Sequence, residues 1–281
     1  MSLQQRNICF IGAGSMAEAI LKGLLEQGKT TVDRVSVLQR SDRPTLSSVR
    51  ANYDVNPITE HTSKVNAIRK ADIIILAVKP KDVSEALAQL REGFHQGQLF
   101  ISVAAGLSER SIQTKLGLPF ELPIVRTMPN TSSAVGLSAT GVAFSPLVSA
   151  EQQAISLELL EAIGIVEVVE EDLLHLVTGV SGSGPAYYYA MMEAMIEAGV
   201  EGGLSPETAK QLTVQTVLGA ANMVLQSGED PATLRVKVTS PNGTTQAALE
   251  YLQNHDFSKI VKGAVHRATA RSREMGEQLS K

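Results

Sequence analysis

Gly12-Ala13-Gly14-Ser15-Met16-Ala17 spells G-x-G-x-x-A directly after a short apolar run and ahead of a helical pattern. That spacing suits a dinucleotide. The first glycine permits a tight turn, the second lets a pyrophosphate approach the backbone, and a small third residue lets helix and strand pack closely. The pyrophosphate would then meet unpaired N–H groups at the positive end of the helix dipole. A glycine-rich strand-to-helix turn that binds nothing is the plainer alternative. At the end of the next strand-like segment an NAD enzyme places a carboxylate on the adenine ribose. Here Gln39-Arg40-Ser41 stand instead, with Asp42 one position late and Arg43 beside it. A guanidinium with a hydroxyl suits a 2′-phosphate, which favours NADPH and leaves NADH open. A solvated Arg40 at a loop tip is the alternative.

Ala77-Val78-Lys79-Pro80 closes a very apolar run, and Ser102 to Gly106 follows another. In an open parallel sheet, ligands lie beyond the carboxyl ends of strands, and Ala104 and Gly106 leave room there for a flat cofactor. Lys79 reads equally well as a surface lysine before a turn. Two further segments, Ser181-Gly182-Ser183-Gly184-Pro185 and Ser240-Pro241-Asn242-Gly243-Thr244-Thr245, are small polar turns at helix starts. Several N–H groups can converge on a carboxylate at such a turn, or the turn can simply cap its helix.

Other chemistries find no support. A nucleophile elbow, G-x-S-x-G, fails at Ser181, flanked two residues away by Gly179 and Ser183, and at Ser183, flanked by Ser181 and Pro185. His61, His95, His175, His255 and His266 show no metal-ligand spacing with one another or with Cys9, so no metal site is expected. Cys9 falls inside the first apolar run and reads as core.

These motifs need a scaffold, and the first half of the chain supplies one. Strand-like segments at residues 7–11, 34–38, 72–78, 99–103 and 124–128 alternate with helical patterns, the first over 16–26. Tyr53-Asp54-Val55 is a further candidate short strand. A strand at 141–144, a helix to about 163 and a strand at 165–169 complete the series. Such alternation implies βαβ units and a mainly parallel sheet. From about residue 171 the strand pattern stops. Pro185 occupies a first helical position, Ser205-Pro206 is an N-cap followed by a proline, and Gly228 is a helix stop. Between the last two, Leu212, Val214, Val217, Leu218, Ala221, Val224 and Leu225 cover more than one helix face, which a partner subunit would naturally cover. A helix from about Phe257 carries one apolar stripe, Phe257, Ile260, Val261, Ala264, Val265 and Ala268, with Lys262, His266 and Arg273 left to solvent. The expected fold class is α/β: an N-terminal Rossmann-type doubly wound sheet over 1–170, followed by an all-α C-terminal substrate-binding and dimerisation domain over 171–281.

Bulk composition agrees. In 281 residues, 43% are hydrophobic and 19% charged, enough apolar material for two cores. A net charge of −4 with no long basic run gives no reason to expect nucleic acid or an anionic membrane. The single cysteine fits a reducing compartment, hence a cytoplasmic protein. The densest apolar run, 73–78, is far short of the ~18 residues of a membrane span. Arg6, the stretch 8–16 and Ala17-Glu18-Ala19 imitate a short secretory signal, yet two glycines in the stretch make it a strand entering a turn.

Six segments together resemble one family. FIGAGSMAEAI, ILAVKP, ISVAAGLS, RTMPNTSSAVGLSATG, VEEDLLHLVTGVSGSGPAYYYAMMEAM and VTSPNGTTQAALEYL run in the order of the pyrroline-5-carboxylate reductases, which make proline. The last two are far more specific than the dinucleotide fingerprint. Two positions depart. Ser132 stands where the family typically has proline, and Asn242 where it typically has the first glycine of a Ser-Pro-Gly-Gly turn; asparagine tolerates positive φ better than other non-glycine residues. The resemblance implies NADPH-dependent hydride transfer to the C=N carbon of 1-pyrroline-5-carboxylate, giving L-proline. It implies that Ser240, Gly243, Thr244 and Thr245 hold the substrate carboxylate, with the Thr245 hydroxyl bonded to the imine nitrogen as the catalytic contact. The implied cofactor set is Gly12, Gly14, Ser15, Met16, Ala17, Arg40, Ser41, Asn56, Ala77, Val78, Lys79, Pro80, Ala104 and Gly106. Self-association through C-terminal helices is implied as well. The rival expectations are another two-domain NADP-dependent imine reductase or β-hydroxyacid dehydrogenase, or a non-catalytic NADP-binding sensor.

Overall fold

Short apolar runs become strands here because helices cover the sheet on both faces. The computed structural model describes residues 2–41 and 46–280, so Asp42 and Arg43 lie outside the described residues. β1 (Ile8–Ile11) is followed by α1 (Ser15–Glu26), β2 (Val35–Leu38), α2 (Ser47–Tyr53), α3 (His61–Lys70) and β3 (Ile73–Leu76). α4 (Val83–Leu90), β4 (Leu99–Ser102), α5 (Glu109–Leu116) and β5 (Ile124–Met128) continue the alternation. β6 (Ser138–Phe144), α6 (Ala150–Leu160) and β7 (Gly164–Val168) end it. Every residue of β1, β3 and β4 is buried, as strands covered on both faces require. One face packs Phe10, Ile20, Leu24, Ile101 and Leu159 together; the other packs Cys9, Ile68, Leu87, Phe100 and Ile112.

Among the described residues the strands form one seven-stranded sheet in the order β2-β1-β3-β4-β5-β6-β7. All pairs are parallel except β5 with β6. The chain reverses its direction of travel across the sheet at β1, and the crevice beyond the carboxyl ends of β1 and β3 is where such sheets bind ligands. The expected short strand at Tyr53-Asp54-Val55 is not one. Tyr53 ends α2, and Asp54 turns the chain out of it with φ of 51°, a left-handed conformation that aspartate tolerates. Sheet pairing resumes only as a single bridge between Leu38 and Ile58.

After β7 come α7 (Leu174–Val177), a π-helical turn (Thr178–Gly182), α8 (Gly184–Glu201), α9 (Pro206–Ser227), α10 (Pro231–Lys237), α11 (Thr244–Asn254) and α12 (Phe257–Ser280). By its own contacts the chain divides into one unit of Met1–Ser183 with His266–Lys281, and a second of Gly184–Val265. In the second unit Ser205 caps α9 by accepting the Thr208 N–H, and Gly228 ends it at φ of 66°. α9 buries only Ala209 and Thr213, while Leu212, Leu218, Met223 and Leu225 are exposed, the last at 79%. In the first unit the end of α12 is anchored by small and polar residues. Thr269 and Ser272 are buried, and a Cβ on Gly276 would lie 2.7 Å from the Gly106 carbonyl oxygen. The apolar stripe expected on this helix is largely open, with Phe257, Ile260 and Val261 all exposed. Only small side chains permit so close a backbone approach, so the face the chain itself buries is not its most apolar one.

Candidate active site

The turn between β1 and α1 has the geometry the motif demands. Gly12 sits at φ of 111°, and a Cβ there would come within 2.6 Å of the Ala77 carbonyl oxygen, so no side chain fits. Its N–H donates to the Leu38 carbonyl, and the Ala77 N–H donates to Ile11, tying the ends of β1, β2 and β3 together. Gly14 differs. Its φ is −83°, and a Cβ added there would meet nothing within 4 Å. Gly14 is the N-cap of α1 and offers no side chain to cap the helix, so the first turn (Ser15, Met16, Ala17) keeps its positive end open to an anion. A pyrophosphate fits these features.

Gly12, Gly14, Arg40, Ser41, Ala77, Val78 and Lys79 line one cavity of about 490 Å³ at the carboxyl ends of β1, β2 and β3. Pro80 opens the turn just after it. The cavity also takes Lys64, Lys81, Asp82 and Glu85, which the sequence reading did not select. Burial pulls the Lys64 ammonium below its ordinary value, with Glu60 acting in the opposite sense. Periodicity within α3 could not have found Lys64, which matters only through the strands beside it, and Lys81 lies in the short turn Pro80–Asp82, where there is no periodicity to read. Arg40 is directed toward α4, 4.0 Å from Asp82 and 3.6 Å from Glu85. Asn56 is outside this lining; its amide bonds the Asp54 carboxylate and carbonyl. Ala104 is buried at the end of β4, and Gly106 borders a second hollow with Ser108, His175 and Arg273. Burial first, then Arg126 and Arg273, pulls the His175 imidazole below its ordinary value, while Asp172 and Glu171 oppose. Cys9 is inert core, its thiol pushed up to about 12 by burial.

In the second unit the Ser240–Thr245 turn folds on itself. The Gly243 N–H donates to the Ser240 carbonyl, and a Cβ on Gly243 would oblige the Ser240 hydroxyl to move aside. Asn242 takes φ of 56°, the left-handed conformation that glycine would otherwise supply, and its N–H donates to the Gln246 side chain. The asparagine therefore preserves the turn. Gly243 caps α11 without a side-chain bond, and the helix starts at Thr244, inside the segment read from sequence as the turn that precedes it. Thr244 and Thr245 thus occupy the uncapped first turn, where N–H groups can meet a carboxylate. Ser132 also finds a use, since its N–H donates to the Asn130 side chain, a bond that proline could not make.

A doubly wound sheet with a glycine turn fitted to a pyrophosphate, followed by a helical unit, defines the class as a dinucleotide-dependent oxidoreductase of two units. Comparison with known proteins makes the class specific. Residues 171–275 match the model for pyrroline-5-carboxylate reductase dimerisation, and residues 7–106 match that for NADP oxidoreductase, coenzyme F420-dependent. Pyrroline-5-carboxylate reductase 2 of Bacillus subtilis is 42% identical over 98% of this chain and 97% of its own. The Pseudomonas aeruginosa reductase is 40% identical over 97% of each. The solved structure from Coxiella burnetii superposes with a TM-score of 0.87 at 36% identity, covering 96% of this chain and 98% of that one. A Plasmodium falciparum pyrroline carboxylate reductase with NADP bound superposes with a TM-score of 0.85 at 28% identity, covering 97% and 99%. The chain belongs to the pyrroline-5-carboxylate reductase family. Neither the hydroxyacid dehydrogenase nor the sensor expectation is favoured by these relatives.

Proposed function

We propose that this chain reduces 1-pyrroline-5-carboxylate to L-proline with NADPH, the role of the relatives it matches from end to end. The observation that carries the reading is full-length identity of 36–42% to reductases of that name, combined with a Ser240–Thr245 turn whose anion-binding shape survives the Asn242 departure. Bound NADPH would supply a hydride to the imine carbon, and the ring nitrogen would take a proton from water as the C=N bond becomes C–N. The chain's own work is alignment, which contributes several kcal/mol in such reactions, of order 7–11 at best.

Each residue has a part in this reading. Gly12, Gly14, Ser15, Met16 and Ala17 hold the pyrophosphate; Arg40 and Ser41 hold the 2′-phosphate, with Asn56 beside the ribose. Ala77, Val78, Lys79, Pro80, Ala104 and Gly106 flank the remainder of the cofactor. Ser240, Gly243 and Thr244 take the substrate carboxylate. Thr245 donates its hydroxyl hydrogen bond to the nitrogen and is the catalytic contact. The division of labour follows 1–170 for the cofactor and 171–281 for substrate and dimerisation. The exposed apolar residues of α9 support self-association through the C-terminal helices. Among the described residues no helix is long and apolar enough to cross a membrane; the lone buried thiol suits the cytoplasm.

The test is loss of NADPH absorbance at 340 nm with 1-pyrroline-5-carboxylate, with proline identified as product. Imine-dependent oxidation is expected, faster with NADPH than with NADH. Protein that binds NADPH and leaves the imine untouched contradicts the assignment.

A further inference from the structure

The end of β5 carries a side chain that no cofactor or substrate assignment uses. Asn130 is 9% exposed and makes hydrogen bonds in three directions. Its Nδ2 donates to the Ser181 carbonyl at 3.3 Å and to the Ser181 hydroxyl oxygen at 3.1 Å. Its Oδ1 accepts the Ser132 N–H at 3.0 Å, and its own N–H donates to the Ser138 hydroxyl at 3.2 Å. Ser181 is fixed in turn, since its hydroxyl donates to the Ala139 carbonyl.

These bonds join two elements that face the cofactor's end of the sheet. On one side is the 3₁₀ turn Thr131–Val135, whose Ser133 hydroxyl reaches the Met16 sulfur at 3.6 Å, in the first turn of α1. On the other is the π-helical turn Thr178–Gly182, a local geometry that recurs at functional sites. Gly182 packs against the Met128 side chain so closely that a Cβ would overlap it. The π turn is therefore seated on the carboxyl end of β5, where the sheet presents ligands.

We infer that Asn130 is a positioning residue for imine reduction: it fixes the Thr178–Gly182 turn in register with the first turn of α1, and touches neither cofactor nor substrate. The chemistry demands an amide. One end must donate to a carbonyl and a hydroxyl while the other accepts an N–H, and no other side chain of this length does both. Aspartate keeps the bond from Ser132 but turns an anionic oxygen toward the Ser181 carbonyl. The inference rests on the proposed function, since it needs the imine to react at this edge.

The experiment compares full-length wild type with Asn130→Asp, Ser181→Ala and the double variant. It reads kcat and KM for 1-pyrroline-5-carboxylate, the NADPH Kd by fluorescence, and Tm. Leaving buried polar groups unpaired predicts a loss of about tenfold or more in kcat/KM for Asn130→Asp, with NADPH Kd changed by less than about threefold. Ser181→Ala should lose about fivefold in the same parameter, and the double variant should lose less than the product of the singles, because both act through one contact. A kcat/KM within about twofold of wild type overturns the inference, as do multiplicative losses or an equal loss in NADPH affinity. Should Asn130→Asp not fold, Ser181→Ala alone decides by the same kcat/KM criterion. Wild type that binds NADPH without turnover overturns the functional reading itself, and this inference with it.

Discussion

The Arg40 guanidinium lies 3.6 Å from the Glu85 carboxylate, and both side chains line the cavity beside Gly12. Asp82 stands 4.0 Å from the same guanidinium. A 2′-phosphate entering there must take Arg40 from two carboxylates. Exposed ion pairs contribute roughly 0–1 kcal/mol, whereas hydrogen bonds to a charged partner contribute about 1.5–3, so the phosphate prevails. Arg40→Ala is expected to weaken NADPH about tenfold or more and NADH by less than about threefold. Glu85→Gln removes the nearer of the two competing carboxylates and should tighten NADPH by roughly two- to fivefold. Titration calorimetry with both cofactors reads each value. Equal weakening of NADPH and NADH by Arg40→Ala removes the 2′-phosphate role.

The two glycines of the phosphate turn should fail in different ways. Gly12→Ala drives a Cβ into the Ala77 carbonyl at an unfavourable φ of 111°, so Tm should fall sharply. At Gly14 the backbone suits alanine and the space is empty, so Gly14→Ala should keep or slightly raise Tm, by the ~0.4–1 kcal/mol such changes give. Its cost should appear as NADPH affinity lowered about tenfold, because the methyl group occupies ligand space. Thermal melts with and without NADPH separate the two effects. A Gly14→Ala protein binding NADPH as wild type does would mean the pyrophosphate lies elsewhere.

Thr245 is assigned the contact to the imine nitrogen, at the uncapped start of α11. Thr245→Ala should lower kcat by about tenfold to a hundredfold with NADPH affinity unchanged, and Thr245→Ser should recover most of it. Steady-state kinetics at saturating NADPH measures both. A Thr245→Ala rate within about threefold of wild type, under 1 kcal/mol, leaves the hydroxyl without a catalytic part.

How much of this was legible beforehand follows from the range of the interactions. β1, β3 and β4 announce themselves because a strand buried on both faces is simply a run of apolar residues, as at Ile73–Leu76. Gly12 and Gly14 are equally plain, since their geometry is set within one turn. The Asp54 turn was missed because one left-handed aspartate outweighs a weak alternation of three residues. The buried face of α12 was missed because Gly276 matters only against Gly106, 170 positions away in the chain by subtraction of their numbers. Asn130 and Lys64 were missed for the same reason: each is an ordinary polar residue until a distant segment arrives beside it. Asn242 is the opposite case, where the conformational preference of one residue type anticipated its φ of 56°.

His175 gives the fold a pH dependence whose sign is fixed. Its Nδ1 is 2.9 Å from the Ser272 hydroxyl, and its surroundings bring Arg126 from β5, Arg273 from α12, and Glu171 and Asp172 from the turn before α7. Burial and the two arginines hold the imidazole below its ordinary value of 6.5. The unfolded chain therefore binds the proton more readily than the folded one. Stability from this group is present above about 6.5 and is lost as pH falls through the lower folded value. His175→Asn, which cannot titrate, should show a flatter decline of Tm below that pH than wild type does. Melting curves of both proteins across the range read the difference. Parallel declines would mean that another group titrates, and that the Ser272 contact tolerates a charged imidazole.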